Sequence, residues 1–246
     1  MTRGDDIHID VNGERLLLDP LGAAYWPAEQ TLVFADLHFE KGSSYARGGQ
    51  FLPPYDTRAT IRRIAAALSR HQPGRVIALG DSFHDNWAGD RLDGEESALL
   101  AAFVRGRDWI WVEGNHDPEP PTWLGGMVSA EVALGGLVFR HEPAVLGARG
   151  EVAGHLHPAV SVHRRGIGTR RRCFVSDGTR LVLPAFGAYT GGLDTRDRAV
   201  TSLFEGGFST YALGRERVYA VGHAPRRKKN VDIQPMAMPK STVTRP

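Results

Sequence analysis

The chain has 246 residues, enough for one large domain or two small ones with a substantial buried core. Hydrophobic content of 41% and charged content of 24% are those of an ordinary soluble globular protein. Lys+Arg 30 against Asp+Glu 28 leaves a formal charge of +2, too slight to identify a nucleic-acid partner, and a single cysteine, Cys173, excludes an intrachain disulfide.

The start, MTRGDDIHID, is polar and acidic, unlike a signal peptide, and no apolar stretch is long enough to span a bilayer. The expectation is a soluble cytoplasmic protein with no membrane partner. IHIDVNGERLLL reads as a hairpin turning at Asn12-Gly13. TLVFA then leads into Asp36-Leu37-His38. A helix opens near Asp56 or Thr57, sets Ile61, Ile64, Ala65 and Leu68 on one face, and stops near Pro73-Gly74. RVIAL leads into Gly80-Asp81-Ser82-Phe83-His84. A second helix, GEESALLAAFVRG, places Leu99, Ala102 and Phe103 on one stripe and ends at Gly106. DWIWVE leads into Gly114-Asn115-His116-Asp117. AEVALGGLVFRH reads as a hairpin turning at Gly135-Gly136 and delivering His141. EVA leads into Gly154-His155-Leu156-His157, and CFVSDGTRLVLP makes a third hairpin at Asp177-Gly178. From about Ala224 onward no apolar period remains, so the expectation is one domain over 1–223 and a basic, disordered tail over 224–246. Strands and helices in this order argue for an α/β domain with covered sheets.

Five apolar runs thus end in carboxylate, carboxamide or imidazole. In open α/β sheets, sites form outside the carboxyl ends of strands, where rigid strands aim the following loops at one crevice. Imidazole with carboxylate oxygen suits manganese, iron or zinc. A carboxylate that bridges two cations allows them to clamp a phosphate and ionise a water between them. Asp36/His38 and His155/His157 are spaced by two, which on extended backbone sends both side chains to one face. Glycines at 80, 114 and 154 permit the close approach that crowded ligands need.

Gly80-Asp81-Ser82 has a competing reading, a serine esterase with Ser82 as nucleophile. That reading needs a late Asp-x-x-His, absent from the C-terminal half, and leaves Asp36/His38 and His155/His157 without a role. Arg164, Arg165, Arg170, Arg171 and Arg172 cluster after the last of these motifs and suit either DNA phosphates or a solvated loop. Asp85 and Asp117 neighbour the motifs as candidate hydrogen-bond acceptors that orient ligands. Trp87, Trp109, Trp111 and Trp123 read as core residues, with Trp87 also placed to touch substrate.

The ordered set from Leu32 to Pro158 resembles the calcineurin-like metallophosphoesterase superfamily. The resemblance implies a double β-sheet sandwich flanked by helices. It implies one metal on Asp36, His38, Asp81 and His157, with Asp81 bridging to a second on Asn115, His141 and His155. It makes His116 the general acid for the leaving oxygen. ADLHFEKGSSYARGG, LPPYDT, GDSFHDN, GNHDP, RHEP and EVAGHLHP are similar to bacterial ligase-associated DNA-damage-response endonucleases. That branch implies two divalent ions, Mn2+ foremost, a DNA phosphodiester substrate, and association with an ATP-dependent DNA ligase and a helicase-like protein. His84 then sits on the substrate side, as in double-strand-break repair nucleases. One departure is Arg140-His141-Glu142, where many relatives carry Gly-His. The same dinuclear chemistry also suits a small-molecule phosphomonoesterase or nucleotide pyrophosphatase. A degenerate scaffold without metal does not fit, because every expected ligand position is filled.

Overall fold

The computed structural model describes residues 6–50, 52–53, 55–117, 119, 122–145, 148–164 and 166–225. They form two stacked sheets. The first follows chain order: β1 (Ile7–Val11), β2 (Glu14–Leu18), β3 (Ala24–Trp26), β4 (Thr31–Ala35), β5 (Arg75–Leu79), β6 (Asp108–Val112) and β7 (Met127–Ser129). It is antiparallel from β1 to β4 and parallel from β4 to β7. The second contains β8 (Glu131–Leu134), β9 (Leu137–Arg140), β10 (Glu151–Ala153), β12 (Ile167–Ser176), β13 (Arg180–Val182), β14 (Gly207–Leu213) and β15 (Val218–Pro225), with β11 (Ala159–Arg164) pairing β12 beside it. Its spatial order is β15-β14-β12-β13-β10-β9-β8. Helices α1 (Lys41–Arg47), α2 (Asp56–His71), α3 (Ala88–Arg91), α4 (Gly94–Arg105) and α5 (Arg198–Thr201), with short 3-10 turns at Pro27–Glu29 and Thr122–Leu124, connect the strands, and no described helix is long and apolar enough to cross a membrane.

The alternation of side chains along each strand explains the layering. Val33, Ile77, Leu79, Ile110 and Val112 point between the sheets and meet Leu137, Phe139, Val152, Phe174 and Leu181. Their neighbours Leu32, Phe34, Val76, Ala78, Trp109 and Trp111 point the other way, under Ile61, Ile64 and Leu68 of α2 and Leu100 and Val104 of α4. The second sheet packs Cys173, Val175 and Val182 against Val200, Phe204 and Phe208. Strands β4, β5 and β6 are therefore covered on both faces, each such apolar side chain contributing about 1.5–3 kcal/mol, and their ends are held rigid.

All three hairpins form, and α2 runs as expected, although Ala67 rather than Ala65 joins its buried face. The stripe on α4 differs. Leu100, Ala101 and Val104 face inward, and Leu99 is 49% exposed. Ala98–Val104 is apolar throughout, so periodicity alone cannot choose a face; packing against α2 and β6 chooses it. Ala224 and Pro225 continue strand β15, and residues 226–246 lie outside those described.

A buried ion pair lies within the second sheet. Glu151 and Arg180 lie side by side in the register of β10 and β13, with Nε 2.7 Å from Oε2. The remaining Arg180 donors reach the carbonyls of Leu203 and Ala144. Replacing Arg180 by Leu alone should cost about 3–5 kcal/mol, because it strands a buried carboxylate. The double replacement with Glu151→Leu should cost less, a comparison that urea unfolding makes directly.

Candidate metal centre

The five strand ends converge. Asp36 N donates to Gly80 O (3.3 Å), His38 N to Asp81 O (2.9 Å), and Gly154 N to His141 O (3.0 Å), so main-chain bonds join the loops beyond β4, β5, β9 and β10. Gly114 permits the tightest approach: a Cβ there would stand 2.1 Å from the Asp81 backbone nitrogen. At Gly80 a Cβ would stand 2.5 Å from the His141 ring.

The local backbone is not extended, as the spacing by two suggests. Asp36, His38, Asp81, His155 and His157 have φ of 54°, 45°, 47°, 66° and 47°, and they are five of the nine non-glycine residues with positive φ among those described. Such conformations cost about 1–3 kcal/mol each and persist only where surrounding structure dictates them. Each pair is therefore set by two left-handed residues: Asp36 and His38 meet in one cluster, whereas His155 and His157 go to different ones.

Two clusters result. In one, His157 Nε2 lies 3.1 Å from Asp36 Oδ1 and 3.4 Å from His38 Nε2. In the other, His141 Nε2 lies 3.4 Å from Asp81 Oδ1, 3.2 Å from His155 Nδ1 and 2.8 Å from Asn115 Oδ1. Asp81 joins them: Oδ1 faces His141 and Oδ2 stands 3.8 Å from His38 Nε2. Within each cluster the carboxylate and imidazole atoms lie within 4.8 Å of one another.

This donor set fits divalent cations. Asp36 and Asp81 are 0% and 2% exposed, and buried carboxylates require a counter-charge or a metal. His141 donates Nδ1–H to Leu79 O (2.9 Å), which in the neutral ring leaves an Nε2 lone pair among three further acceptors. Burial alone would lower the His141 pKa, but the Asp81 hydrogen bond and the Asp36 and Asp81 charges lift it to about 9. A proton there does what a cation would do. Burial, with His157, Lys41 and His84, holds His38 neutral against the attraction of Asp81, as a ligand must be. Asp81 itself is held below the usual carboxylate range: its hydrogen bond from His141 and the backbone N–H of His116 (2.9 Å) outweigh burial.

His116 and His84 stand at the mouth. His116 Nδ1 donates to His84 O (3.1 Å), leaving Nε2 4.0 Å from Asp81 Oδ2. The two rings stack at 5.3 Å and 19°. His84 is pushed down to about 4, first by burial and then by Lys41 and His116, and its ring lies 5.7 Å from that of Tyr45.

Asp117 accepts from Phe83 N (2.9 Å) and so braces the Asp81 loop. Asp85 touches no ligand. It grips Arg91 with both oxygens at 2.9 Å, and Arg91 Nε reaches Ser43 Oγ (2.8 Å), which clasps α3 to α1. Ser82 is fully buried, and among the described residues its Oγ has no hydrogen-bond partner, no histidine included, which speaks against the esterase reading. Trp109 and Trp111 are core, whereas Trp87 and Trp123 are exposed. The arginine run divides: Arg172 is held by the carbonyls of Ala185 and Gly187, Arg170 donates to Gly192 O, and Arg171 is exposed. Arg165 and the Arg164 side chain lie outside the described residues.

Lys41, Tyr45 and Arg91 were not among the sequence candidates; Lys41 and Tyr45 have only their place in the EKGSSYARGG stretch as a signal, and Arg91 has none. A loop after β13 was missed too. Gly187 N donates to Asp36 O (3.0 Å) and Leu193 N to Leu156 O (3.4 Å), which places this glycine-rich segment against the first cluster.

A family model described as calcineurin-like phosphoesterase matches residues 30–168. Among solved structures, the nuclease MPE of Pseudomonas putida is 29% identical, with TM-score 0.68 over 88% of this chain and 100% of that one. Yfce, a phosphoesterase from E. coli, is 15% identical over 80% of this chain and 99% of that one, with TM-score 0.40. No curated protein matches the chain.

Calorimetry should find two divalent ions per chain. His141→Ala should lose one and His157→Ala the other, while Asp81→Ala should weaken both. Ion at about 100 times Kd should stabilise the fold by about 2.7 kcal/mol per site, seen as a raised melting temperature that Asp81→Ala lacks. Two ions bound unchanged by Asp81→Ala would refute the shared carboxylate.

Proposed function

From the premise that this chain belongs to the calcineurin-like phosphoesterase family, and is a metallophosphoesterase, we propose that it is a phosphodiesterase that cleaves DNA. One observation carries the metal assignment: Asp81 turns one oxygen to each of two imidazole clusters. Asp36, His38, Asp81 and His157 would hold one ion; Asp81, Asn115, His141 and His155 would hold the other. When bound, the pair supplies Lewis acidity at the phosphoryl oxygens and an ionised water for in-line attack. Manganese suits this mixed nitrogen and oxygen set. The nuclease likeness, at 29% identity across the whole of that chain, supports a nucleic-acid substrate. A role in DNA repair beside an ATP-dependent ligase and a helicase-like protein rests on the sequence resemblance alone.

The chain's own residues supply the remaining chemistry. His116 is pinned by His84 O at Nδ1, so Nε2 is the atom free to deliver a proton to the leaving oxygen. His84 is neutral at physiological pH, since its pKa near 4 lies well below 7, and it donates to a non-bridging oxygen without becoming a second acid. Lys41 is half-buried near Asp81 and Asp36, and burial lowers its pKa despite their attraction. It brings positive charge to the side where phosphate enters.

His116→Ala should retain two ions and lose about 10²–10⁴ in kcat. His84→Ala should lower turnover of bis-p-nitrophenyl phosphate more than that of p-nitrophenyl phosphate. The wild-type, manganese-loaded chain should prefer the diester and DNA to the monoester. Preference for the monoester would favour a small-molecule phosphatase instead.

A further inference from the structure

The two flanks of the metal cleft differ in chemistry. Beyond Asn115 and His141 runs a groove of about 380 Å³ that Glu113, Glu131 and Glu142 line, with Arg140 as the one arginine or lysine among its lining residues. Arg140 is itself paired to Glu131 at 2.8 Å. A polyanion is repelled there. The other flank is built from α1 and the start of α3 and carries Lys41, Tyr45 and Trp87. Lys41 Nζ lies 5.8 Å above the Tyr45 ring.

The aromatic exposure on this flank lacks a folding reason. Trp26, Trp109 and Trp111 are buried, as a large indole normally is, whereas Trp87 is 63% exposed and Tyr45 is 36% exposed. Trp123 is exposed as well, in the short turn Thr122–Leu124 that packs against α4. Trp87 and Tyr45 are tied to the cleft. Tyr45 leans on His84, which stacks on His116, and Trp87 follows His84 by three residues, its amide held by Asp85 Oδ1 at 2.9 Å. The Asp85–Arg91–Ser43 clasp locks α3 to α1, so both aromatics are presented on a fixed support. Fixed exposed rings beside cations are what stacking of nucleic-acid bases requires.

We propose that the Tyr45–Trp87 ledge is the nucleotide platform of this enzyme: a strand crosses α1 and α3 with a base against Trp87 and its phosphates drawn by Lys41, and it turns away from the acidic groove. This rests on the phosphodiesterase reading above and adds to it a direction of approach and a base-dependent contact.

The test uses the full, manganese-loaded chain and two oligonucleotides of one sequence, one of them abasic at the nucleotides flanking the cleaved bond. Wild type should prefer the base-bearing strand by about 5- to 150-fold in kcat/KM, the range that base–aromatic stacking gives. Trp87→Ala should bring that ratio toward one and Trp87→Phe should restore most of it, with ion stoichiometry and melting temperature measured alongside to show that each variant is folded and loaded. Equal cleavage of both strands by wild type, or a ratio that survives both Trp87→Ala and Tyr45→Ala, would overturn the ledge and leave the phosphodiesterase reading intact. A wild type that hydrolyses monoesters and no strand at all would overturn both.

Discussion

Asp36 and Asp81 are buried carboxylates at the ends of two adjacent strands, with imidazoles as their closest ion-pair partners. Leaving an ionised carboxylate out of water costs several kcal/mol, so the fold must hold these two rigidly and keep a place for compensating charge. It does so through β4 and β5, which run parallel with Ala35 opposite Leu79, so that the chain emerges from both at one level. Apolar side chains cover both faces of these strands, and left-handed turns immediately beyond them aim the carboxylates inward. The remaining ligands are fitted to that pair.

The end of β5 organises more than Asp81. Leu79 O fixes the His141 tautomer, and His84 O fixes that of His116. One stretch of six residues thus supplies the shared carboxylate and decides which nitrogen two imidazoles present to the cleft. Main-chain carbonyls are well suited to this, since they accept but never donate and their positions follow from the strand ladder. Asp117 then fixes Phe83 N from the β6 side, so the stretch is braced against a neighbouring strand.

Much of this could be read from the sequence because doubly covered strands are continuous apolar runs, and each of these stops at a residue type with ligand chemistry. TLVFA, RVIAL, DWIWV, LVFR and EVA are all strands as read. The misreadings have local causes. An unbroken apolar stretch hid the inward face of α4. Helix α1 is short and holds a glycine and two serines. Its first turn is fixed from a distance, by Asp56 Oδ2 accepting from Gly42 N (2.9 Å), and no local pattern reports such a bond. The left-handed turns escaped because spacing by two is compatible with an extended chain as well as with what the chain does. Asp85 looked like a partner for a ligand and instead grips Arg91, a choice made only when α3 folds back onto α1.

Charge shows the same limit at a larger scale. A formal +2 predicts almost no field, yet the cleft has a cationic, aromatic flank and an acidic one. Nor does the densest basic run make a basic face. In a strand, successive side chains alternate, so Arg171 points away from its neighbours, and Arg172 is consumed by the carbonyls that anchor the 185–187 turn. A phosphate strand meets separate groups at separate distances, and the few cations close to the reacting phosphorus weigh more than many beyond a Debye length, about 8 Å at physiological salt. The local charge is therefore set by Lys41 on one side and Glu142, 4.0 Å from His155, on the other, and neither is visible in the sum.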